Sequence, residues 1–107
     1  MTMDAVFKAL ADPVRRELLD SLRERGGQTL GDLCRGREMT RQAVTKHLAV
    51  LEGANLVASE KRGREKLHYL NPVPIQEIAD RWIGQYDRGR LEALADFKRR
   101  LEGDTDG

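Results

Sequence analysis

The chain has 107 residues, of which 35% are charged and 5% aromatic, and its formal net charge is +1. This length suits one domain with a modest core. No stretch approaches the roughly 18 apolar residues that cross a bilayer, and no signal-peptide pattern is present, so we expect a cytoplasmic protein with no membrane partner.

Charge is distributed unevenly along the chain. Residues 35–71 carry eight basic and four acidic side chains, whereas residues 1–34 and 72–107 have net charges of −1 and −2. A basic middle segment favours a polyanionic partner such as nucleic acid. The low aromatic content, with many Leu, Val and Ala residues, favours a mainly helical fold.

Two helices are predicted at the start of the chain. Residues 3–11 have apolar side chains at near-helical spacing, and Asp12 and Pro13 begin a second helix because Asp caps and Pro suits the first helical position. That helix is expected to end at Gly26-Gly27. We interpret the arginines near its start, Arg15 among them, as solvated; a phosphate contact is the alternative.

Residues 29–56 predict a helix-turn-helix. A short helix at 29–35 is followed by a turn around Gly36 and by a longer helix that Thr40 can cap. One side of the longer helix is an apolar stripe, formed by Val44, Leu48 and Leu51. The opposite side carries groups that suit a DNA major groove, namely Gln42, Thr45, Lys46 and Ala49. A capped surface helix with a solvated polar face is the alternative.

Potential metal ligands are few. Cys34 is the only cysteine, and because it shares an apolar stripe with Leu30 and Leu33 we interpret it as a buried structural residue rather than a redox switch. His47 and His68 fall on different elements, and His47 is interpreted as a structural or phosphate-contacting residue. We therefore expect no metal and no other cofactor.

Residues 56–71 predict a β-hairpin, because the apolar period changes from 3.6 to 2. Strands at 56–62 and 66–70 are joined by a turn whose glycine, Gly63, suits a hairpin. Its tip carries four basic side chains, Lys61, Arg62, Arg64 and Lys66, against Glu60 and Glu65. After a helix-turn-helix, such a hairpin is typical of a wing that contacts phosphates or a narrow minor groove. An ordinary charged hairpin tip is the alternative.

The last helical segment, 74–102, has an apolar side that Gly84 and Gly89 can interrupt. This side comprises Ile75, Ile78, Ala79, Trp82, Tyr86, Leu91, Leu94, Phe97 and Leu101. A winged-helix core is complete before this segment, so we expect its apolar side to pack on a second copy, together with part of the 3–11 helix. The predicted dimerisation residues are Val6, Phe7, Ile78, Trp82 and Phe97. A core within one chain is the alternative.

Three segments, VFKALADPVRRELLDSL, TRQAVTKHLAVL and GREKLHYLNP, together resemble the ArsR family of winged helix-turn-helix transcriptional repressors. The resemblance implies a single winged helix-turn-helix domain over 1–107, mainly α with a small β-hairpin and with dimerisation helices at 3–11 and 74–102. It also implies a homodimer on a palindromic operator. The DNA-reading residues would be Thr40, Arg41, Gln42, Thr45 and Lys46, with wing contacts from Arg62 and Arg64.

The chain departs from the metal-sensing members of that family. Those have a Cys-X-Cys pair in the helix before the recognition helix, or Asp and His ligands in the last helix. Here the helix before the recognition helix has only Cys34, and the last helical segment has no histidine. The resemblance therefore does not extend to metal sensing, and it implies no particular small-molecule effector.

Two other classes of function compete with DNA binding. An enzyme is disfavoured because the sequence has no phosphate-binding glycine loop, no nucleophile beside a base and no recognisable carboxylate pair. A winged-helix protein-interaction module without sequence-specific DNA binding is the nearer alternative. The polar face of the 40–56 helix favours DNA, since a protein-binding face would carry aromatic residues. The sequence thus predicts a sequence-specific, double-stranded DNA-binding regulator, and the family resemblance implies that it represses transcription.

Overall fold

Helices α1 to α6 and one antiparallel hairpin are seen in the computed structural model, which describes residues 3–84 and 88–104. Their bounds are α1 Met3–Leu10, α2 Pro13–Glu24, α3 Leu30–Cys34, α4 Arg41–Gly53, β1 Val57–Arg62, β2 Glu65–Leu70, α5 Val73–Trp82 and α6 Arg88–Asp104. The predicted mainly helical fold with a small hairpin is confirmed. Tyr86, placed on the apolar side of the last segment by the sequence, lies outside the described residues.

The junction between α1 and α2 is built by a cap and an arginine. The Asp12 carboxylate accepts hydrogen bonds from the backbone N–H groups of Val14 and Arg15, at 2.8 and 3.2 Å, as the sequence predicts. Arg15 donates to the last carbonyls of α1, from Nε to Ala9 at 2.8 Å and from Nη2 to Lys8 at 2.9 Å. The interpretation of Arg15 as solvated is therefore wrong: this arginine caps the end of α1.

The core lies where α1, α2, α3 and α4 pack on one another and on the hairpin. Its largest fully buried side chains are Leu18, Leu33, Val44, Leu51 and Leu56. The predicted apolar stripe of α4 is confirmed, because Leu48 is also buried. Cys34, in contrast, is only half-buried, so its predicted place in the core is wrong. Since α3 has only five residues, Leu33 alone of its stripe reaches the interior.

Helix α4 ends in a Schellman motif. Asn55 has φ of 62°, Leu56 N–H donates to the Leu51 carbonyl at 2.9 Å, and Asn55 N–H donates to the Glu52 carbonyl at 3.0 Å. Asn55 thus provides a left-handed stop for α4. The reversal leads straight into β1, and Val57 of β1 pairs with Leu70 of β2.

The hairpin is tied to the helices by a bridge that the sequence did not reveal. Gln28, between α2 and α3, pairs with His68 as an isolated antiparallel bridge. His68 N–H donates to the Gln28 carbonyl at 2.8 Å, and Gly27 N–H donates to the His68 carbonyl at the same distance. The Gln28 side chain then donates to the carbonyls of Ser21 and Arg25, at 3.0 and 2.7 Å. Because these carbonyls end α2, the bridge anchors the hairpin to that helix.

The described residues up to Gln76 form one compact unit, and those from Glu77 onward form a second. The boundary falls within α5, and the organisation of 1–107 as a single domain stays a prediction. The predicted last segment is two helices: α5 ends at Trp82, close to Gly84, whereas Gly89 lies within α6. No helix in the described ranges has the length and apolar character needed to cross a membrane.

Candidate nucleic-acid interface

The outer face of α4 is polar and open. Gln42, Thr45, Lys46 and Ala49 are all exposed, whereas Val44, Leu48 and Leu51 on the other side are at most 4% exposed. The predicted division of this helix into a buried and an exposed face is thus confirmed. Because packing on one side fixes the backbone, the other side presents its polar side chains at fixed spacing, as a helix entering a groove requires.

The start of α4 is rigid because threonine side chains make hydrogen bonds to backbone groups in its first turns. Thr40 Oγ1 accepts a hydrogen bond from the Ala43 N–H at 3.0 Å, so this predicted DNA-reading residue is the N-cap. Thr45 Oγ1 donates to the Arg41 carbonyl at 2.9 Å. That bond fixes the Thr45 hydroxyl with its lone pairs available, so the hydroxyl can accept but not donate.

The preceding helix is held in register by a capping box. Thr29 Oγ1 accepts from the Asp32 N–H, and Asp32 Oδ2 accepts from the Thr29 N–H, both at 3.1 Å. The Thr29 N–H bond is the main reason that the pKa of Asp32 lies below its ordinary value of 3.8, and the Thr29 hydroxyl, Arg25 and Arg35 act in the same direction. The carboxylate therefore stays charged and the cap intact at neutral pH.

The hairpin turn presents one arginine freely and pairs another. Gly63 has φ of 61° at the first turn position, as a two-residue type II′ hairpin loop requires, and Arg64 follows it. Arg62 Nε lies 3.7 Å from Glu60 Oε1 at the surface. Within the described residues the Arg64 guanidinium makes no ion pair, so of the two predicted wing contacts it is the better placed to bind a phosphate.

A cleft of about 530 Å³ separates α4 from the hairpin, with the start of α3 at one end. It brings together Arg41, Thr45 and Ala49 of α4 with Arg64 of the turn. Gln42, Lys46 and Arg62 are not among its lining residues. The sequence-based prediction missed several other lining residues, namely Thr29, Gly31, Glu52, Glu65, Lys66 and His68. The Thr29-x-x-Asp32 pattern could have indicated Thr29, whereas the others depend on pairings distant in sequence.

Four basic side chains at this surface are uncompensated. Among the described residues, Arg41, Lys46, Lys61 and Arg64 form no ion pair with a carboxylate, whereas Arg62 pairs with Glu60 at 3.7 Å and Lys66 with Glu52 at 3.3 Å. A phosphate approaching α4 or the wing therefore meets cations that need not first break an internal ion pair.

Both histidines are engaged by protein groups. His47 Nδ1 lies 3.4 Å from Arg15 Nη1, and His68 Nδ1 lies 2.9 Å from the Gln28 carbonyl oxygen. The structural interpretation of His47 is consistent with that contact. In residues 3–84 and 88–104, no three side chains of Cys, His, Asp or Glu are grouped as a metal site would need.

The fold and this surface define a winged helix-turn-helix protein. A family model described as a helix-turn-helix domain matches residues 10–60. The HTH-type transcriptional regulator YuzN of Bacillus subtilis (strain 168) is 42% identical over 86 residues, covering 75% of this chain and 94% of that protein. The arsenical resistance operon repressor of the same organism is 31% identical over 98 residues, covering 92% and 84%.

Among solved structures, an ArsR-like transcriptional regulator from Rhodococcus sp. RHA1 has a TM-score of 0.68 and 30% identity, covering 97% of this chain and 87% of that one. The chain belongs to the ArsR family of winged helix-turn-helix transcriptional regulators. The family resemblance drawn from the sequence is thereby confirmed, and the protein is a transcriptional regulator.

Proposed function

We propose that this regulator binds double-stranded DNA sequence-specifically as a homodimer on a pseudo-palindromic operator, and that it represses transcription there. The observation that carries the proposal is the exposed face of α4. Gln42 and Thr45 offer hydrogen-bonding groups to base edges, Lys46 offers a cation to guanine or phosphate, and Ala49 allows close approach.

The wing supplies the second part of the proposed interface. Arg64 at the turn contacts the backbone or enters the adjacent minor groove, and Arg62 reaches a phosphate after leaving Glu60. On α4, Arg41 contacts the backbone while Thr40 orients the helix through its cap. Base discrimination thus comes mainly from α4, and sequence-independent affinity comes mainly from the arginines.

Dimerisation is proposed from the apolar side of the C-terminal helices. Trp82 of α5 and Phe97 of α6 are 53% and 54% exposed, and Ile78 is half-buried. On α1, Phe7 is 44% exposed, whereas Val6 is 4% exposed within the chain itself. We therefore keep Phe7, and not Val6, among the residues proposed to meet a second copy. Exposed apolar side chains of this size commonly mark a protein interface.

Two-fold symmetry of such a dimer would place its recognition helices in successive major grooves. The half-sites would then be about 34–36 Å apart, which is one helical turn of DNA. Repression is proposed because the arsenical resistance operon repressor is similar over most of both chains. Metal and other cofactors are not part of the proposal.

Selection of bound duplexes from a random pool tests the proposal directly. We expect an inverted repeat with half-sites one helical turn apart. In titrations on that duplex and a scrambled one, Gln42→Ala should reduce the specific-to-scrambled affinity ratio about tenfold or more, because a good bidentate contact contributes about 1–3 kcal/mol of discrimination. Gln76→Ala, which removes the same exposed side chain from α5, is the matched control.

The competing function is that of a winged-helix protein-interaction module. Recovery of no enriched sequence, with equal weak binding of every duplex, would favour that function over ours. If a repeat is enriched but Gln42→Ala leaves the affinity ratio unchanged, DNA binding stands and the proposed orientation of α4 does not.

A further inference from the structure

We propose that Glu52 is a positioning residue for DNA binding: its carboxylate holds the hairpin at a fixed distance from α4 and so sets the width of the cleft between them. This inference rests on the proposed DNA binding. It assigns Glu52 a role that requires no contact with a DNA atom.

The link between α4 and β2 is carried by a single carboxylate oxygen. Glu52 Oε1 lies 3.3 Å from Lys66 Nζ and 3.8 Å from His68 Nε2. The Glu52 side chain is 31% exposed, the His68 side chain 5% and the Lys66 side chain 56%, so the link is shielded from solvent at Glu52 and His68 and more open at Lys66. The ion pair is the one between Glu52 and Lys66; His68 Nε2 adds a second only when the imidazole carries protons on both nitrogens.

His68 makes the link rigid on the hairpin side. Its Nδ1 must carry a proton, because its partner at 2.9 Å is the Gln28 carbonyl oxygen, which can only accept. That bond fixes the ring, and the backbone bridge to Gln28 fixes the strand. Glu52 therefore joins the end of α4 to a part of β2 that is already anchored, and Lys66 extends the link two residues toward the wing tip.

The cleft matters for DNA because of where a strand must run. With α4 in a major groove and the wing in the adjacent minor groove, the sugar–phosphate strand between the two grooves passes between α4 and the hairpin. Arg41 and Arg64 line this cleft from α4 and from the turn. Whether both reach the same strand depends on the separation of those walls, which the Glu52 link determines.

Removal of Glu52 has two opposing effects on operator affinity. The sign of the net change shows whether Glu52 positions the wing or only repels the phosphates of the DNA. A carboxylate near phosphates repels them, so losing it tightens binding if charge is all that matters. If Glu52 positions the wing, losing it weakens specific binding despite the gain in net charge. Glu65 provides the matched control: it lines the same cleft with the same charge, and within the described chain its carboxylate forms no ion pair.

The test is a double-mutant cycle on the selected operator duplex, with Glu52→Ala, Arg64→Ala and both together. We expect Glu52→Ala to weaken specific binding about threefold or more. The fold-loss of operator affinity caused by Arg64→Ala should be at least about threefold smaller in the Glu52→Ala variant than in the parent protein. Glu52→Gln, which keeps an oxygen for Lys66, should fall between Glu52→Ala and the parent. Glu65→Ala should bind as tightly as the parent or more tightly and be additive with Arg64→Ala.

Thermal unfolding of each variant shows which are folded at the assay temperature, and Glu52→Gln takes the place of Glu52→Ala in the cycle if the latter is not. Additivity of the Glu52 variant with Arg64→Ala, or tighter binding by it, would overturn the inference while leaving the proposed function intact. Absence of specific binding by the parent protein would instead overturn the proposed function.

Discussion

At the scale of single residues, two glycines of this chain predict opposite outcomes for one substitution. Gly27 has φ of +77°, and a Cβ there would lie 3.3 Å from Tyr69 Oη. Gly27→Ala should therefore destabilise the protein by about 1–2 kcal/mol for the left-handed backbone alone. At Gly53, at the end of α4, a Cβ would have no atom of another group within 4 Å. Gly53→Ala should stabilise by about 0.5–1 kcal/mol.

Urea unfolding of the two variants beside the parent protein measures both effects. The pair controls for composition, since each variant adds one methyl group to the same kind of residue. Equal shifts of the unfolding midpoint in one direction would contradict the conformations described for Gly27 and Gly53.

Asp12 predicts a pH dependence of stability. The Arg15 backbone N–H is the main cause that lowers the pKa of Asp12 from its ordinary value of 3.8; the Val14 N–H and the charges of Arg15 and His47 act in the same direction. Because the pKa is lower in the folded state, the unfolded chain binds the proton more readily. The stabilisation is therefore fully present above about pH 3.8 and is lost as the pH falls through the folded-state value.

Asp12→Ala should thus unfold at lower urea than the parent at pH 7, with a gap that narrows as the pH falls below 3.8. Asp12→Asn is the control, because an asparagine caps without a titrating group. The gap between Asp12→Asn and Asp12→Ala should be independent of pH in this range. A gap between parent and Asp12→Ala that stays constant down to pH 3 would disprove the assignment.

At the scale of helices and strands, the sequence predicted features that depend on neighbouring residues and missed those that depend on residues distant in sequence. Caps, helix stops and hairpin turns act on neighbours within about four residues, so they were predictable. Examples are the N-caps Asp12 and Thr40, the helix stop Asn55 and the turn residue Gly63. The Gln28–His68 bridge joins residues 40 positions apart, and no short pattern announces it. Arg15 was misassigned for the same reason, because its acceptors belong to the helix before its own.

The candidate site divides along the same line. The outer face of α4 follows from a 3.6-residue period, so Gln42, Thr45 and Lys46 could be located from sequence. The cleft, however, exists only once the hairpin has folded back toward α4, and Glu52 gains its partners across that gap. An acidic residue in the last turn of a recognition helix otherwise has no sequence feature to distinguish it from a solvated one.

The wing as an element predicts a specific change in salt dependence. Arg64→Ala should weaken binding to every duplex by a similar factor and lower the slope of log affinity against log salt by about 0.9 for each phosphate that the variant no longer neutralises. Arg23→Ala removes an equal charge from α2, where the arginine is 69% exposed and paired with Asp20, and should leave the slope unchanged. Titrations at several salt concentrations measure this. Equal slopes for both variants would contradict a wing contact.

At the scale of the whole molecule, α6 exposes a row of large apolar side chains, which is unfavourable for a helix surrounded by water. Leu91, Leu94, Phe97 and Leu101 recur every three or four residues and are 38% to 56% exposed. Several charged side chains on α6 are paired with one another, as Lys98 is with Glu102 at 3.7 Å and Arg88 with Glu92 at 3.6 Å. A helix with one apolar stripe and ion pairs elsewhere is typical of a helix that packs on a partner.

We therefore predict that the parent protein sediments as a dimer at about ten micromolar. Phe97→Ala and Trp82→Ala should each raise the dimer dissociation constant about thirtyfold or more, since truncating an aromatic anchor typically costs about 2 kcal/mol of binding free energy. Lys98→Ala is the control, because it changes the residue next to Phe97 on the paired side of α6 and should leave the constant within about threefold. Operator affinity should fall in the two aromatic variants at protein concentrations below the new dissociation constant and recover above it, because a monomer reads only one half-site. A parent protein that sediments as a monomer at that concentration, or aromatic variants whose operator affinity does not depend on protein concentration, would rule out this mode of assembly.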